Sequence, residues 1–591
     1  MIVISQSLQV QEKEGPLPAS IEAMPRVRIS EEESGECPIC LVEWDIVVHG
    51  VIHGFLVLLV VVVFSLCSSS CQGIKLPYMT SNVEEVSGKF FYYIVVGGGA
   101  CGCPLAATLS EQFSVLLVER GGSPYGNPLV SEGANYGLSL IETNEFTSIA
   151  QSFVSEEGVM NHRGRVLGGS TAINSGFYSR ASEDFVERVG WDKRLVREAY
   201  EWVESKVVFR PSELSPWQSI VKDSLVEGAN LSFNGFSWEH LVGTKVGGSI
   251  FDGQGRRHTA ADLLGAGNSK KLAILLNATV KNVIFHANGD GIPRAVGIRF
   301  MESNNNGDET YEAFFSDQQK DSKSWGDVIL SADALSSPQI LMLSGIGPLE
   351  HLECYNIPVL INAKAVGEGI KDNPAFSLLV DSPETGRTDL PQVVGITHDF
   401  QVIIQSVIRY ISSNETRSRV GAKLTYPISK GKLELKNTDL RQNPSVRFSY
   451  LVEEKDLEQC VEMGRLLEKV ATSIKSFLAN PHNEMGKQSS TKEELRKFCQ
   501  TNVKTFYHYH GGCGAGSVVD ENYKVYGVNG LRVLDGSTLP DSPGTNPMAT
   551  LLMLGRYQGI KILEERNQAL VSCLLEFDDK YMLNFGKSGL Y

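Results

Sequence analysis

Residues 90–119 read FFYYIVVGGGACGCPLAATLSEQFSVLLVE, and this stretch decides the fold. Residues 90–96 are continuously aromatic and β-branched, as a strand buried on both faces requires. They run into Gly97, Gly98, Gly99, Ala100, Cys101 and Gly102, a G-x-G-x-x-G turn with an extra central glycine. Helix-compatible residues 104–112 follow. A second apolar strand, Val115–Val118, then ends on Glu119, 22 positions after Gly97. Each part has a physical task. Gly97 lets the chain turn sharply, Gly99 lets the backbone approach a pyrophosphate, and Gly102 lets the helix pack closely on the strand. The helix N-terminus supplies N–H groups and a positive dipole to the phosphates. Glu119 can accept hydrogen bonds from an adenosine ribose. The unit predicts a Rossmann-type βαβ cradle for a dinucleotide, and alone it does not separate FAD from NAD.

Beyond this unit, a chain of 591 residues has room for several structural units. A hydrophobic fraction of 42% and a charged fraction of 21% are those of an ordinary globular protein. The 69 acidic and 54 basic residues give a formal charge of −15, with no long run of Lys or Arg to track a phosphate backbone. Nucleic acid is excluded as an expected partner. Eleven cysteines in so long a chain do not make a disulfide scaffold. Cys101 and Cys103, inside the glycine turn, are expected to fill small space. Cys460 and Cys499 could bridge in a secreted chain, a choice the sequence leaves open.

The N-terminal region is built differently. Residues 55–66 (FLVLLVVVVFSL) are almost wholly aliphatic and are followed by small residues at 68–71. Their length suits a signal-peptide core and falls short of the ~18–20 residues of a membrane span. Residues 55–71 are therefore expected to direct secretion, with a signal anchor as the weaker alternative and no stable membrane span. Sequons at Asn230, Asn277 and Asn414 agree with an extracellular glycoprotein. Upstream, Cys37-Pro-Ile-Cys40 has the spacing of one zinc knuckle, and His49 and His53 could nominally complete it. The remaining ligands of a RING-type domain are missing, so no metal site is expected. Residues 1–54 read as an extraneous fragment.

Three further segments narrow the cofactor. Gly164-Arg-Val-Leu-Gly-Gly-Ser-Thr-Ala-Ile-Asn174, followed by Tyr178, resembles the first signature of the glucose–methanol–choline (GMC) oxidoreductases. Residues 331–347 (SADALSSPQILMLSGIG) resemble the second, and residues 531–547 (LRVLDGS, then SPGTNP) resemble the flavin-closing segment. Within the family, residues 507–513 (YHYHGGC) and 243–258 are similar to the plant branch that holds Hothead-like proteins and (R)-mandelonitrile lyases. The resemblance implies FAD as cofactor and an α/β fold in two parts. A Rossmann-type FAD-binding domain would form from the discontinuous segments 90–375 and 500–566. An α+β substrate domain, 376–499, would carry a mostly antiparallel sheet. Residues 567–591 are unassigned.

The same resemblance implies the site. Gly97, Gly99, Ala100, Cys101, Gly102, Glu119 and Arg120 would hold the nucleotide, with Val166, Gly168, Gly169 and Val280 around it. Ser170, Thr171, Asn174, Ser175 and Gly176 offer N–H groups and short polar side chains that suit a flavin ring and its ribityl chain. Asp535 and Gly536 would meet the pyrophosphate from the other side, and Pro547 would lie beside the flavin. His508 and Asn546 align with the catalytic pair, the histidine taking a hydroxyl proton while the carbon passes a hydride to flavin N5. His510 is either a second polar group or a packed neighbour. If the segment is a strand, i and i+2 share a face.

A lyase reading uses the same cradle with the flavin redox-idle. Plant lyases of this branch generally carry His at the position of Asn546 and a substrate-contacting Cys where Ile403 aligns. Both departures favour oxidation of an alcohol over cleavage of a cyanohydrin. Asp333 stands where the second signature has Gly, Tyr507 where the branch has Trp, and the region between Asn373 and Gly431 is short. A secreted flavoprotein without activity is the third reading these departures allow. The partner is expected to be a small-molecule alcohol or cyanohydrin, and the chain a monomer.

Overall fold

The computed structural model describes residues 76–585 apart from 142, 145, 288–290, 305–306, 308, 316–325, 381–387, 400, 413–414 and 479–489. Side chains are described except at 409–417 and 569–585. The zinc-like spacing at 37–40, the aliphatic run at 55–71 and the Asn414 sequon lie outside the described residues.

Six parallel strands form the first sheet, in the order Met79–Thr80, Leu272–Leu275, Val115–Val118, Tyr93–Val96, Val328–Leu330 and Leu531–Val533. The four strands from Val115–Val118 to Leu531–Val533 are buried at every residue; three are unbroken apolar runs, and the fourth carries the buried Arg532, paired with Asp327 at 2.9 Å. Chain order reverses at Tyr93–Val96. Its sequence successor Val115–Val118 lies on one side and Val328–Leu330 on the other, which opens a crevice at the carboxyl ends of these strands.

The expected single strand over residues 90–96 is two strands. Phe90–Phe91 joins a separate four-stranded sheet beside Tyr311–Phe315, and only Tyr93–Val96 enters the parallel sheet. The break falls at Tyr92, whose N–H goes to Ser114 Oγ at 2.9 Å and whose ring stacks on Phe113 at 4.2 Å. Packing outside the segment breaks a run that is uniform in composition. The following helix is Gly102–Leu109, starting and ending earlier than residues 104–112, and every residue in it is buried. The last helix, Met548–Phe585, lies on this turn. A Cβ on Gly555 would stand 2.1 Å from Cys101 O, so glycine is required where the helix crosses it. Cys101 and Cys103 are buried free thiols.

A seven-stranded sheet forms the second part, in the order Lys504–Thr505, Pro374–Val380, Glu415–Leu424, Val402–Ser412, Val393–Ile396, Gly243–Val246 and Phe233–Phe236. All neighbours are antiparallel except the last pair. The sheet thus draws two strands from residues 233–246, inside the segment expected to belong to the FAD-binding part. Helices Pro216–Ala229 and Glu454–Leu478 supply Trp217, Val221, Leu225, Leu467, Val470 and Ile474 to its core.

Cys460 and Cys499 form a disulfide that ties Glu454–Leu478 to Lys492–Asn502. The bridge closes a sequence separation of 39 residues. Replacing both cysteines by alanine should lower unfolding free energy by about 2–4 kcal/mol, chiefly through the freed unfolded chain. Chemical denaturation of the two proteins checks this. Among the described residues no helix is long and apolar enough to cross a membrane, and no group of three or more His, Cys, Asp or Glu could hold a metal ion.

Candidate active site

A cavity of about 770 Å³ opens at the carboxyl ends of the parallel strands and reaches the seven-stranded sheet. Gly97, Gly99, Ala100 and Cys101 line it from the glycine turn, and Glu119 and Arg120 from the end of the next strand. Gly169, Ser170, Thr171, Asn174, Ser175 and Gly176 line another wall, with Val280, Asp535, Gly536, His508, Asn546 and Pro547 completing the set. Four residues expected at the site stand behind the wall. Gly102 packs against the turn, where a Cβ would lie 2.0 Å from Gly97 O. Val166 is in a small core, and Gly168 N–H donates to Gly98 O at 2.7 Å. His510 is the fourth.

At one end, two buried carboxyls brace the loops. Glu119 accepts from Gly98 N at 2.9 Å and from Gly121 N at 2.7 Å, and burial raises its pKa. Asp535 accepts from Ser537 N and from the Ser337 and Ser537 hydroxyls, and burial pushes it up to about 6. Arg120 donates to Gln151 Oε1 at 2.6 Å, and burial lowers its pKa to about 9. Four buried polar atoms of the lining residues have no hydrogen-bond partner among the described residues: Arg120 Nη2, Arg163 Nη2, Gln405 Nε2 and Asn546 Oδ1. Unsatisfied groups of this kind are costly unless a ligand completes them. A Cβ on Gly99 meets nothing within 4 Å. Open space at the turn, donors at one end and amides at the other fit a dinucleotide with an anionic middle and a polar head.

His508 sits at the seven-stranded-sheet end. Asn373 Nδ2 donates to Leu424 O and Thr425 O, both at 2.8 Å, which fixes that amide and turns its Oδ1 toward His508 Nδ1 at 3.1 Å. In the tautomer that donates from Nδ1 to Asn373 Oδ1, Nε2 is the basic nitrogen. The backbone N–H of His508 donates to Asp372 Oδ1 at 2.8 Å, and Tyr450 OH holds the other carboxylate oxygen at 2.7 Å. Lys423 Nζ lies 3.1 Å from His508 Nδ1 and donates to Thr545 O at 2.9 Å. Burial lowers Lys423 to about 7. Burial first, then the Lys423 and His510 charges, holds His508 well below the usual histidine range. Asn546 Nδ2 reaches Gln405 Oε1 at 3.3 Å.

The sequence leaves His510 open as a second polar group or a packed neighbour, and the segment that carries it is not a strand on which it would share a face with His508. The strand ends at Thr505, Tyr507 takes a left-handed φ of +62°, and His510 forms only an isolated bridge to Lys371. His510 is buried away from the cavity, with Nδ1 on His508 O at 2.9 Å, and burial lowers it to about 4. It is a packed neighbour. Lys423, Asn373, Asp372 and Gln405 were not singled out from sequence. The signal for Lys423 is a lysine between Ala422 and Leu424 on a strand buried on both faces.

Two profiles described as GMC oxidoreductase match residues 91–375 and 427–555. The chain is 43% identical over 548 residues to Protein HOTHEAD of Arabidopsis thaliana, covering 82% of this chain and 90% of that protein. It is 43% identical over 520 residues to an (R)-mandelonitrile lyase-like protein of the same plant, covering 82% and 92%. The structure of pyridoxine 4-oxidase from Mesorbium loti superposes with a TM-score of 0.65 at 20% identity, covering 79% of this chain and 98% of that one.

Proposed function

The chain belongs to the GMC oxidoreductases, and from that premise we propose that it oxidises the hydroxyl-bearing carbon of a primary or secondary alcohol with His508 as base. The cofactor is FAD, which when bound supplies a ring able to accept a hydride. The observation that carries the reading is the set at the cavity wall: one histidine whose Nδ1 is engaged by Asn373 and Lys423, and an amide, Asn546, where a second acid–base group would otherwise stand. His508 Nε2 takes the hydroxyl proton. Asn546 and Gln405 hold the substrate oxygen through their amides without exchanging protons. The Lys423 ammonium, beside the ring below about pH 7, opposes protonation of His508 and so keeps the base free.

Cyanohydrin cleavage is the second reading, favoured by the (R)-mandelonitrile lyase-like relative. The test is an anaerobic absorbance scan of the purified chain during addition of alcohols and of mandelonitrile. Bleaching of the flavin band at about 450 nm by an alcohol supports oxidation. A stable band with benzaldehyde release from mandelonitrile overturns it in favour of the lyase. The reading includes secretion, supported by the Cys460–Cys499 bridge and the exposed Asn230 sequon.

Lys423→Met should move the acid limb of the pH–rate profile upward. Because the depressed His508 pKa places loss of activity below the ordinary ~6.5, removing the opposing charge lets the ring protonate at higher pH. The expected shift is about one unit, or about tenfold in rate on the acid limb, with the alkaline plateau unchanged. Stopped-flow flavin reduction across pH checks this.

A further inference from the structure

Asp333 begins the helix Asp333–Leu343 in a left-handed conformation, φ +80°, which side chains other than glycine rarely adopt. Its Oδ1 accepts from Leu335 N at 2.7 Å and from Ser336 N at 2.9 Å, so the carboxylate occupies the helix's own N-terminal donors. The two oxygens also stand 3.3 and 3.4 Å from Arg163 Nη1. The partners differ in exposure: the Arg163 side chain is 2% exposed and that of Asp333 is 39% exposed, and both line the cavity. Arg163 is held from behind by Ser336 Oγ at 2.7 Å, Asn443 Oδ1 at 3.1 Å and Gln151 Oε1 at 3.2 Å. Gln151 also ties in Arg120.

Two guanidinium groups and a helix N-terminus on one wall are the donor set that a diphosphate recruits. In this chain the wall supplies its own anion. Asp333 adds a negative charge that Glu119 and Asp535 both feel. The neighbouring glycine turn abuts the same backbone, since a Cβ on Gly97 would strike Ser331 and Ala332.

We propose that Asp333 is an internal competitor for the anionic part of FAD: its carboxylate holds Arg163 and the amides of Leu335 and Ser336, and so weakens cofactor retention. The chain then binds FAD as an exchangeable cofactor, more weakly than its cradle would otherwise allow. The proposal concerns the cofactor alone and stands whether the bound flavin oxidises an alcohol or remains idle.

The alternative role for the same carboxylate is to accept a hydrogen bond from the cofactor, and the direction of the effect separates the two. Full-length apoprotein is titrated with FAD and flavin fluorescence is followed for wild type, Asp333→Gly and Asp333→Asn. Asparagine keeps the side chain and a capping oxygen but removes the charge. Glycine removes the strain as well. The proposal expects Kd to fall about tenfold in Asp333→Gly, equivalent to about 1.4 kcal/mol, and about threefold in Asp333→Asn. The FAD-induced rise in thermal midpoint should grow in the same order. Weaker or unchanged binding in Asp333→Asn overturns it. So does tightening confined to Asp333→Gly, which would assign the effect to backbone strain. Should the glycine variant fail to fold, the asparagine variant alone decides.

Discussion

His508→Ala lowers the rate of flavin reduction by substrate about 10²–10⁴-fold, the range that a positioned general base contributes, while the purified protein stays yellow. The expected separation of rate from cofactor content follows from what holds this residue. Its backbone is fixed by Asp372, and Asp372 by Tyr450, so the chain path survives loss of the ring. The ring itself contacts Asn373 and Lys423 and carries none of the nucleotide cradle. Removing it leaves Lys423, which lies on the Nδ1 side of the lost imidazole and does not replace Nε2. Single-turnover reduction with the best alcohol from the substrate panel measures the effect. Full reduction rate in a variant that keeps its flavin would overturn the role of His508. A colourless variant would show that the residue supports the fold of the cavity instead.

The parts of this molecule that were legible in sequence are those whose physics is local. The glycine turn could be placed to the residue because its geometry depends on a few neighbours: Gly97 has φ +103°, and Gly102 meets Gly97 O. The strand Val115–Val118 was legible because an unbroken apolar run has one destination in a parallel sheet. Tyr92 shows where this reasoning ends. Nothing within residues 90–96 marks the break, because Ser114 and Phe113, 22 and 21 positions later, cause it. The surroundings of His508 fail to appear in sequence for the same reason. Lys423 and Asn373 lie 85 and 135 positions away and reach the ring only through sheet pairing. The choice between the two readings of His510 stayed open in sequence because the left-handed turn at Tyr507 has no glycine to announce it.

Asp333 illustrates a different case. Its departure from the glycine of the resembling signature was visible in sequence, as was the sign of its charge. The partner was not, because Arg163 comes from a hairpin 170 positions earlier. A charge read without its partner would have been taken as simple repulsion. With Arg163 and two amides in place, it becomes competition for a defined donor set, and that competition can be measured.

Gly99→Ala should raise the Kd for FAD by about 10²-fold or more without changing the thermal stability of the apoprotein. The argument rests on a contrast between two glycines two positions apart. A Cβ at Gly97 would lie 2.3 Å from Ser331 O, 2.7 Å from Ser331 C and 2.8 Å from Ala332 Cα, all backbone atoms that cannot swing aside. With φ at +103° the substitution also strains its own backbone. Gly97→Ala should therefore destabilise the apoprotein by roughly 2–4 kcal/mol, from strain and overpacking together. At Gly99 the same added methyl meets nothing within 4 Å, since it projects into the cavity where the turn must let a pyrophosphate approach. Apoprotein stability cannot sense that methyl, and only the cofactor can. Thermal scans of both apoproteins, followed by titration with FAD, separate the cases. If Gly99→Ala binds FAD as well as wild type, the pyrophosphate does not pass this turn and the cradle has been assigned to the wrong wall. If it loses FAD with its thermal midpoint unchanged, Gly99 is glycine for the ligand and Gly97 is glycine for the fold.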